Sequence, residues 1–236
     1  MRGRQEIFSL RSSRRLTDLI FQGKLVGRAR LWYDGEYWRD SMRIVAGTRR
    51  GKTLVSPKGE TTRPTHERTR EAVFSSLQLL VPGARVLDCF AGSGAMALEA
   101  LSRGAAWALL LERDGEACKT IEENIRLTGM EDRAELRRGD ALESLAGLRN
   151  TAFDLALLDP PYGQGLIERA LALLALEGRL AEGAVLVAET AAGEALELPK
   201  GYCLWKERKY GKNLVRFLRF EGTNGCGAQE GRKAEP

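Results

Sequence analysis

The chain of 236 residues contains a single histidine, His66, and this scarcity limits the catalytic chemistry that it can carry. Ser-His-Asp hydrolysis and histidine-ligated zinc deamination would both have to depend on that one residue. The four cysteines, Cys89, Cys118, Cys203 and Cys226, are scattered and form no CxxC pair. We therefore expect no disulfide framework and no metal site, and the expected compartment is the reducing cytoplasm.

Long hydrophobic runs are also missing. The longest, at residues 105–111 and 170–176, are too short to cross a bilayer. The N-terminal arginines are not followed by the apolar segment of a secretory signal. The hydrophobic fraction of 43% nevertheless suffices to fill a core, which excludes a wholly disordered chain and favours one domain with small appendages.

The net charge of +5 is unevenly distributed. Residues 1–70 hold 17 lysines and arginines against 7 acidic residues, whereas residues 71–236 hold 20 against 25. A basic segment on a mildly acidic body favours a polyanionic partner such as nucleic acid. A solvated face with a disordered basic tail is the alternative interpretation.

The pattern along the chain divides it into four parts. Residues 1–41 lack a sustained apolar period but carry an aromatic cluster at residues 32–38 among arginines. They form an N-terminal extension of uncertain status: a base-stacking surface, an accessory segment, or upstream sequence translated from a wrongly chosen start, which an intact mass would decide. The remaining parts are a basic hairpin arm at 42–64, the main domain at 65–221 and a disordered tail at 222–236.

The arm is expected to pair two short strands, Arg43–Ala46 and Lys52–Ser56, around a turn at Gly47–Gly51. Thr65 is the predicted N-cap of a helix that continues through Leu80.

Strands and helical periods alternate through the main domain. This alternation predicts an α/β fold with a mostly parallel seven-stranded sheet covered on both faces, and a closing antiparallel hairpin. Ligands of such sheets bind outside the carboxyl ends of the strands. The predicted strands are Arg85–Phe90, Ala108–Glu112, Ala134–Gly139, Phe153–Asp159, Ala184–Glu189, Tyr202–Tyr210 and Asn213–Phe220. The predicted helices between them are Ala95–Arg103, Glu116–Leu127, Ala141–Leu148 and Leu166–Leu176.

A glycine-rich turn joins the first parallel strand to its helix. Gly92 and Gly94 permit a tight turn and a close approach of ligand to backbone. The same segment also satisfies the GxGxxG/A pattern of dinucleotide-binding proteins, so the turn alone indicates only a nucleoside-containing cofactor. Glu112, twenty residues after Gly92, could accept hydrogen bonds from a ribose diol in either case.

Acidic residues at three strand ends favour S-adenosylmethionine as the cofactor. Asp88 suits the ammonium of a methionine moiety and would repel a pyrophosphate, and Asp140 is placed to accept from an adenine amino group. Glu112 completes this set, which fits a cationic, diol-bearing ligand better than a polyphosphate. The predicted cofactor-binding residues are Asp88, Phe90, Ala91, Gly92, Ser93, Gly94, Glu112, Asp140 and Ala141.

The sequence Asp159-Pro160-Pro161-Tyr162 is the most specific motif in the chain. An exocyclic amino nitrogen of a base is a poor nucleophile because its lone pair is delocalised into the ring. The Asp159 carboxylate and the Pro160 carbonyl could accept its two N–H bonds and free the lone pair to attack a sulfonium methyl group. Consecutive prolines offer no competing N–H, and Tyr162 provides a flat face for a flipped base. A rigid turn with a half-buried tyrosine is the alternative.

The stretch from Met42 to Phe220 resembles the RsmD-type 16S ribosomal RNA guanine-N2 methyltransferases. This resemblance implies a Rossmann-like class I methyltransferase that modifies one guanine of small-subunit RNA. Tyr162 stands where some members have phenylalanine, and residues 1–41 have no recognised counterpart. The resemblance is carried by Arg43–Gly47, Arg50–Lys52, Arg63–Thr65 with Arg68, Arg70, Glu71 and Phe74, Asp88–Gly94, Glu99–Gly104 and Asp159–Tyr162.

The implied partner is 16S rRNA in an assembling or assembled 30S particle, bound by a cytoplasmic monomer. We expect the arm to lie beside the catalytic edge and to contact phosphates, although a solvated face accounts for any single arginine. Alternatives are methylation of adenine N6 in DNA or of a protein glutamine, a catalytically silent RNA-binding module, and an NAD-dependent dehydrogenase. The predicted RNA contacts are Arg43, Arg49, Arg50, Lys52, Arg63, Arg68 and Lys209.

Overall fold

A computed structural model describes residues 42–57, 64–148, 151–176 and 178–222, and these residues form one seven-stranded sheet. The strands are β1 (Arg85–Asp88), β2 (Trp107–Glu112), β3 (Ala134–Arg138), β4 (Phe153–Leu158), β5 (Leu180–Ala191), β6 (Tyr202–Tyr210) and β7 (Asn213–Phe220). Their order is β3-β2-β1-β4-β5-β7-β6. The first five strands pair in parallel, and β7 runs antiparallel to β5 and β6. The predicted sheet and its closing hairpin are confirmed.

The described residues contain five helices, of which the first precedes β1 and the other four connect β1 to β5. Local sequence sets the ends of the helix Gly115–Thr128, because the Asp114 side chain accepts from two N–H groups of its first turn and Gly129 closes it at a φ of +62°. The helices are α1 (Pro64–Ser76), α2 (Ala95–Ser102), α3 (Gly115–Thr128), α4 (Ala141–Gly147) and α5 (Leu166–Leu174). No helix among the described residues is long and apolar enough to span a bilayer.

The first helix differs from its prediction at both ends. It begins at Pro64, so Thr65 lies inside the helix rather than at its N-cap. Proline suits a first helical position because its φ is already helical and it has no N–H to leave unpaired. The helix ends at Ser76 instead of Leu80. The N–H of Leu77 already divides its hydrogen bond between the carbonyls three and four residues before it, and the chain then turns towards β1.

Successive side chains of each strand point to opposite faces of the sheet, and this divides the core into two layers. In β4, Leu155 and Leu157 join one hydrophobic cluster, and Ala156 and Leu158 join the other. The first cluster contains side chains of the arm, α1, α2 and α3, and the second contains those of α4 and α5. We call the corresponding sides of the sheet the arm face and the α5 face.

The arm, residues 42–57, is a hairpin without regular strands. A single antiparallel bridge joins Arg43 to Thr53, although the N–H of Ile44 also donates to the Lys52 carbonyl at 2.9 Å. The prediction of two strands was therefore wrong. The physical reason is that the next two N–H groups of the arm, those of residues 45 and 46, donate to the Glu99 carboxylate of α2 at 2.7 and 3.0 Å instead of to a neighbouring strand.

Candidate active site

Acidic residues follow the carboxyl ends of four adjacent strands. Asp88 ends β1 and Glu112 ends β2. Asp140 comes two residues after β3, and Asp159 comes directly after β4. Because β3, β2, β1 and β4 are neighbours in that order, the structure brings these four predicted residues to one edge of the sheet. We call it the carboxyl edge.

The turn between β1 and α2 passes close to β2. Gly92 and Gly94 have positive φ values of +54° and +76°. A Cβ at Gly94 would lie 3.0 Å from Cδ2 of Leu110, so a side chain there would be both strained and crowded. At Gly92 a Cβ would meet no atom within 4 Å, which leaves the backbone open to a ligand. The other predicted residues of this turn, Phe90, Ala91 and Ser93, are buried or half-buried.

The Asp88 carboxylate is buried beneath this turn, with 4% of the residue exposed. The backbone N–H groups of Phe90 and Ala97 donate to it, but its Oδ2 atom has no hydrogen-bond partner among the described residues. Burial raises the pKa of Asp88 to about 7, and the nearby negative charge of Glu112 adds a smaller increase. The turn therefore contains a buried acid with one unsatisfied oxygen.

Glu112 ties the end of β2 to the same turn. Its Oε2 atom accepts from the N–H of Gly92 at 2.8 Å. Its Oε1 atom accepts from the N–H groups of Arg113 and Asp114, each at 2.8 Å. Since a carboxylate oxygen can accept more than one hydrogen bond, this arrangement still allows Glu112 to accept from a ligand hydroxyl.

Asp140 is the N-cap of α4, whose first residue is Ala141. Its Oδ1 atom accepts from the N–H groups of Leu142 and Glu143 at 2.9 and 3.2 Å. The capping fixes the position of the carboxylate at the end of β3. The sequence analysis did not predict that Asp140 caps this helix.

These residues fit S-adenosylmethionine. The unsatisfied oxygen of Asp88 could pair with an ammonium group, and Glu112 could accept from a ribose diol beside the open backbone at Gly92. A pyrophosphate in the same place would instead face two carboxylates.

The loop after β4 carries the motif Asp159–Tyr162 and packs against the end of β5. Pro160 is buried, whereas Asp159, Pro161 and Tyr162 are exposed. The Tyr162 hydroxyl donates to Oε1 of Glu189 at 3.2 Å. Partial burial raises the pKa of Tyr162, and the negative charges of Glu189 and Asp159 raise it further. The phenol therefore stays neutral, and 42% of the residue is accessible for contact with a flat ligand.

A second carboxylate, Glu194, fastens the same loop. Its Oε1 atom accepts from the N–H of Gly163 at 3.1 Å, and its Oε2 atom accepts from the N–H of Ala191 at 3.2 Å. Arg216 of β7 donates to the Glu194 carbonyl and to Oγ1 of Thr190, both at 2.8 Å. A shallow groove, open to solvent, lies between this segment and residues 160–168.

The sequence reasoning missed Glu189, Glu194, Asn213 and Arg216. Glu189 ends the predicted fifth strand, so the rule that ligands bind at carboxyl ends could have identified it. The other three lie in a loop and in the antiparallel hairpin, where no sequence pattern predicts their contacts with the ends of β4 and β5.

The predicted RNA contacts occupy different environments. Arg43, Arg50, Lys52, Arg68 and Lys209 are exposed, and Arg63 lies outside the described residues. The Arg49 guanidinium instead holds the end of α3, because its Nε atom donates to the Thr128 carbonyl at 2.6 Å. An arginine at the C-terminus of a helix also complements the helix dipole.

Only one end of the arm lies beside the catalytic edge, so the expectation that the whole hairpin lies there was wrong. One end does lie there, because the Asn124 amide donates to the carbonyls of both Val55 and Ser93, each at 2.9 Å. The turn at Gly47–Gly51 lies elsewhere, at the C-terminal ends of α2 and α3, where the N–H of Thr48 donates to the Ser102 carbonyl at 2.7 Å. Since α2 has eight residues, the turn is about 12 Å from the cofactor turn along the helix axis.

The sheet order, the glycine turn and the acidic carboxyl edge define a class I S-adenosylmethionine-dependent methyltransferase. The solved structure of SMU.776 in complex with SAH has the same fold, with a TM-score of 0.52 at 14% identity over 64% of this chain and 49% of that one. The likeness to the Escherichia coli protein yhhF is greater, with a TM-score of 0.70 at 32% identity over 77% of this chain and 98% of that one.

Sequence comparison identifies the family. The family model described as "Conserved hypothetical protein 95" matches residues 42–219. The protein named "Ribosomal RNA small subunit methyltransferase D" from Escherichia coli K12 is 35% identical over 181 residues, which cover 76% of this chain and 90% of that protein. The chain belongs to this family, the RsmD family, as the resemblance predicted.

Proposed function

We propose that the protein transfers a methyl group from S-adenosylmethionine to the exocyclic N2 atom of one guanine in 16S rRNA. The observation that carries this proposal is the position of Asp159–Tyr162, directly after β4 and next to β1, whose turn forms the cofactor site. The 35% identity to a protein named ribosomal RNA small subunit methyltransferase D supports an rRNA acceptor. The partner is 16S rRNA in an assembling or assembled 30S particle, and the enzyme acts as a cytoplasmic monomer.

Three acidic residues of the carboxyl edge would hold the cofactor. S-adenosylmethionine supplies an electrophilic methyl carbon on a positively charged sulfur. The ionised Asp88 would attract the ammonium group, Glu112 would accept from the ribose hydroxyls and Asp140 would accept from the adenine amino group. The turn from Phe90 to Gly94 provides backbone that the ligand can approach closely.

Asp159 and Pro160 position the acceptor nitrogen. The Asp159 carboxylate and the Pro160 carbonyl accept the two N–H bonds of N2, while the base stacks on Tyr162. The nitrogen lone pair forms the new bond to the methyl carbon, and the electrons of the broken carbon–sulfur bond remain on sulfur. The nitrogen then loses one proton to Asp159, which passes it to water. Catalysis in this scheme consists of positioning and electrostatic stabilisation.

Transfer of a radiolabelled methyl group tests the proposal. We offer unmethylated 30S particles, naked 16S rRNA, DNA and protein to the full chain and identify the labelled nucleoside by mass spectrometry. The expected product is N2-methylguanosine in 16S rRNA, from one or both RNA-containing substrates. Label found only in DNA or protein would contradict the proposed acceptor.

A further inference from the structure

Glu189 lies beside Asp159 at the carboxyl edge. In the parallel pair of β4 and β5, Leu158 is the register partner of Ala188. The residues that follow, Asp159 and Glu189, therefore stand at the same level on neighbouring strands, whose backbones are about 4.8 Å apart.

Glu189 also shares a face with the cofactor residues. Along β5, Val187 belongs to the cluster of the arm face and Ala188 to that of the α5 face. Alternation therefore turns Glu189 towards the arm face. Asp88 lies on the same face, because the preceding Leu87 belongs to the α5 face.

Two donors hold one oxygen of the Glu189 carboxylate. The Tyr162 hydroxyl donates to Oε1 at 3.2 Å, and Nδ2 of Asn213 donates to the same atom. The Oε2 atom has no hydrogen-bond donor within the part of the chain that the structure describes. The side chain is thus oriented through one oxygen, and the described residues leave the other without a donor.

The Watson–Crick edge of guanine matches this pair of acids. Guanine presents N1–H and the N2 amino group side by side, so two neighbouring donors meet two neighbouring acceptors. Adenine and 2-aminopurine present an amino group next to an unprotonated N1, which can only accept. An ionised carboxylate has no proton to offer such an atom.

We propose, on the basis of the proposed function, that Oε2 of Glu189 accepts the N1–H of the target guanine and thereby selects guanine over bases with an unprotonated N1. Asp159 holds the N2 amino group at the same time. Tyr162 and Asn213 act as positioning residues for Glu189. Recognition of the base and stacking on Tyr162 are then coupled through one hydrogen bond.

A double comparison of enzyme and base tests this role. The RNA substrate carries either guanine or 2-aminopurine at the target position, and kcat/KM is measured for the wild type and for Glu189→Gln. The glutamine keeps an oxygen for Tyr162 and Asn213 but presents an NH₂ group in place of Oε2. The wild type should prefer guanine by about tenfold or more, the scale of a hydrogen bond to a charged group. In Glu189→Gln this preference should shrink towards one, because the amide can donate to the N1 of 2-aminopurine.

Glu182→Gln serves as the matched control. Glu182 is exposed at the other end of β5, so the same substitution there should leave the base preference unchanged. Affinity for S-adenosylmethionine and the melting temperature of Glu189→Gln should equal those of the wild type, which separates base recognition from folding.

The outcomes distinguish this inference from the proposed function. A wild type that methylates guanine RNA but uses 2-aminopurine equally well would overturn the role of Glu189 alone. The same holds for a Glu189→Gln variant that keeps the full preference for guanine. A wild type that transfers no methyl group to any guanine-containing RNA would overturn the proposed function and the role of Glu189 with it.

Discussion

The burial of the Asp88 carboxylate makes the stability of the folded protein depend on pH. Its pKa rises from the ordinary value of 3.8 to about 7, chiefly because burial disfavours the ionised form. At pH values between these two pKa values, Asp88 is protonated in the folded protein but ionised in the unfolded chain. The free energy of unfolding contributed by Asp88 therefore falls as the pH rises from about 4 to 7.

Asp88→Asn should remove this dependence. The amide oxygen can still accept from the N–H groups of Phe90 and Ala97, and no charge is buried at high pH. Relative to the wild type, the variant should gain up to about 1 kcal/mol of stability per pH unit across the window. Urea unfolding without cofactor at pH 5 and pH 8 measures the difference. Parallel pH profiles of the two proteins would contradict the assignment.

Removal of the acceptor carboxylate in Asp159→Ala should lower turnover by about a hundredfold or more, the scale of losing one partner in the transition state. Affinity for S-adenosylmethionine should change far less, because Asp88 and Glu112 remain. Single-turnover methyl transfer and cofactor titration give the two values. Glu182→Ala, an exposed change of the same kind, should leave both values unaltered, and an Asp159→Ala variant with normal turnover would exclude the proposed role.

At the scale of elements, one side chain of α2 joins the arm to the sheet. Glu99 is fully buried and accepts from two arm N–H groups, while the guanidinium groups of Arg103 and Arg70 lie 2.7 and 3.7 Å from its oxygens. A buried carboxylate needs such partners to offset its desolvation. The arm is therefore held to α2 by charge and backbone hydrogen bonds as well as by apolar contact.

Two glycines of the arm turn allow a matched test of this docking. Gly47 and Gly51 have nearly equal φ values of +83° and +81°, but only at Gly47 would a Cβ collide with the Ser102 carbonyl oxygen, at 1.9 Å. Gly51→Ala should cost about 1 kcal/mol from backbone strain alone. Gly47→Ala should cost a further 1–3 kcal/mol or so because the arm must move.

Urea unfolding gives these energies, and hydrogen exchange at residues 44–54 shows whether the arm has lifted from α2. The docking geometry requires faster exchange in Gly47→Ala than in Gly51→Ala. Equal stability and equal exchange in the two variants would contradict it.

At the scale of the whole molecule, exposed cations lie on the arm and on α1. Arg50, Lys52 and Arg68 are exposed, and no described residue forms an ion pair with them. Arg49 is occupied at the end of α3, so its replacement would disturb the fold as well as the charge. Arg50 and Lys52 are therefore the cleaner positions at which to test RNA binding.

The double change Arg50→Glu and Lys52→Glu should weaken RNA binding and flatten its salt dependence. The slope of log affinity against log salt concentration should become shallower by about 0.7–0.9 for each phosphate that the variant no longer neutralises. Arg169→Glu with Lys200→Glu changes the net charge equally; both residues are exposed, and Arg169 lies on α5, across the sheet from the arm. Binding titrations at several salt concentrations should show a smaller effect for this control. Equal losses of affinity in the two variants would remove the arm from the interface.

The sequence by itself determined the order of the elements and the class of the site. Strand and helix periods and the glycine turn act between near neighbours in the chain, so their patterns are visible without a fold. The motif Asp159–Tyr162 was found for the same reason, since its chemistry lies in four consecutive residues. Its place at the carboxyl edge followed from the parallel strand before it.

Only the tertiary structure decided which distant groups meet at that edge. The pairing of β5 with β7 brings Asn213 to Glu189, and Glu189 in turn accepts from Tyr162. The turn of the arm lies at the far end of α2 because Glu99 and Ser102 hold it there. The burial of Asp88, and with it the raised pKa, depends on α2 closing over β1. Such contacts join residues separated by dozens of positions, and no local period or propensity encodes which of them pair.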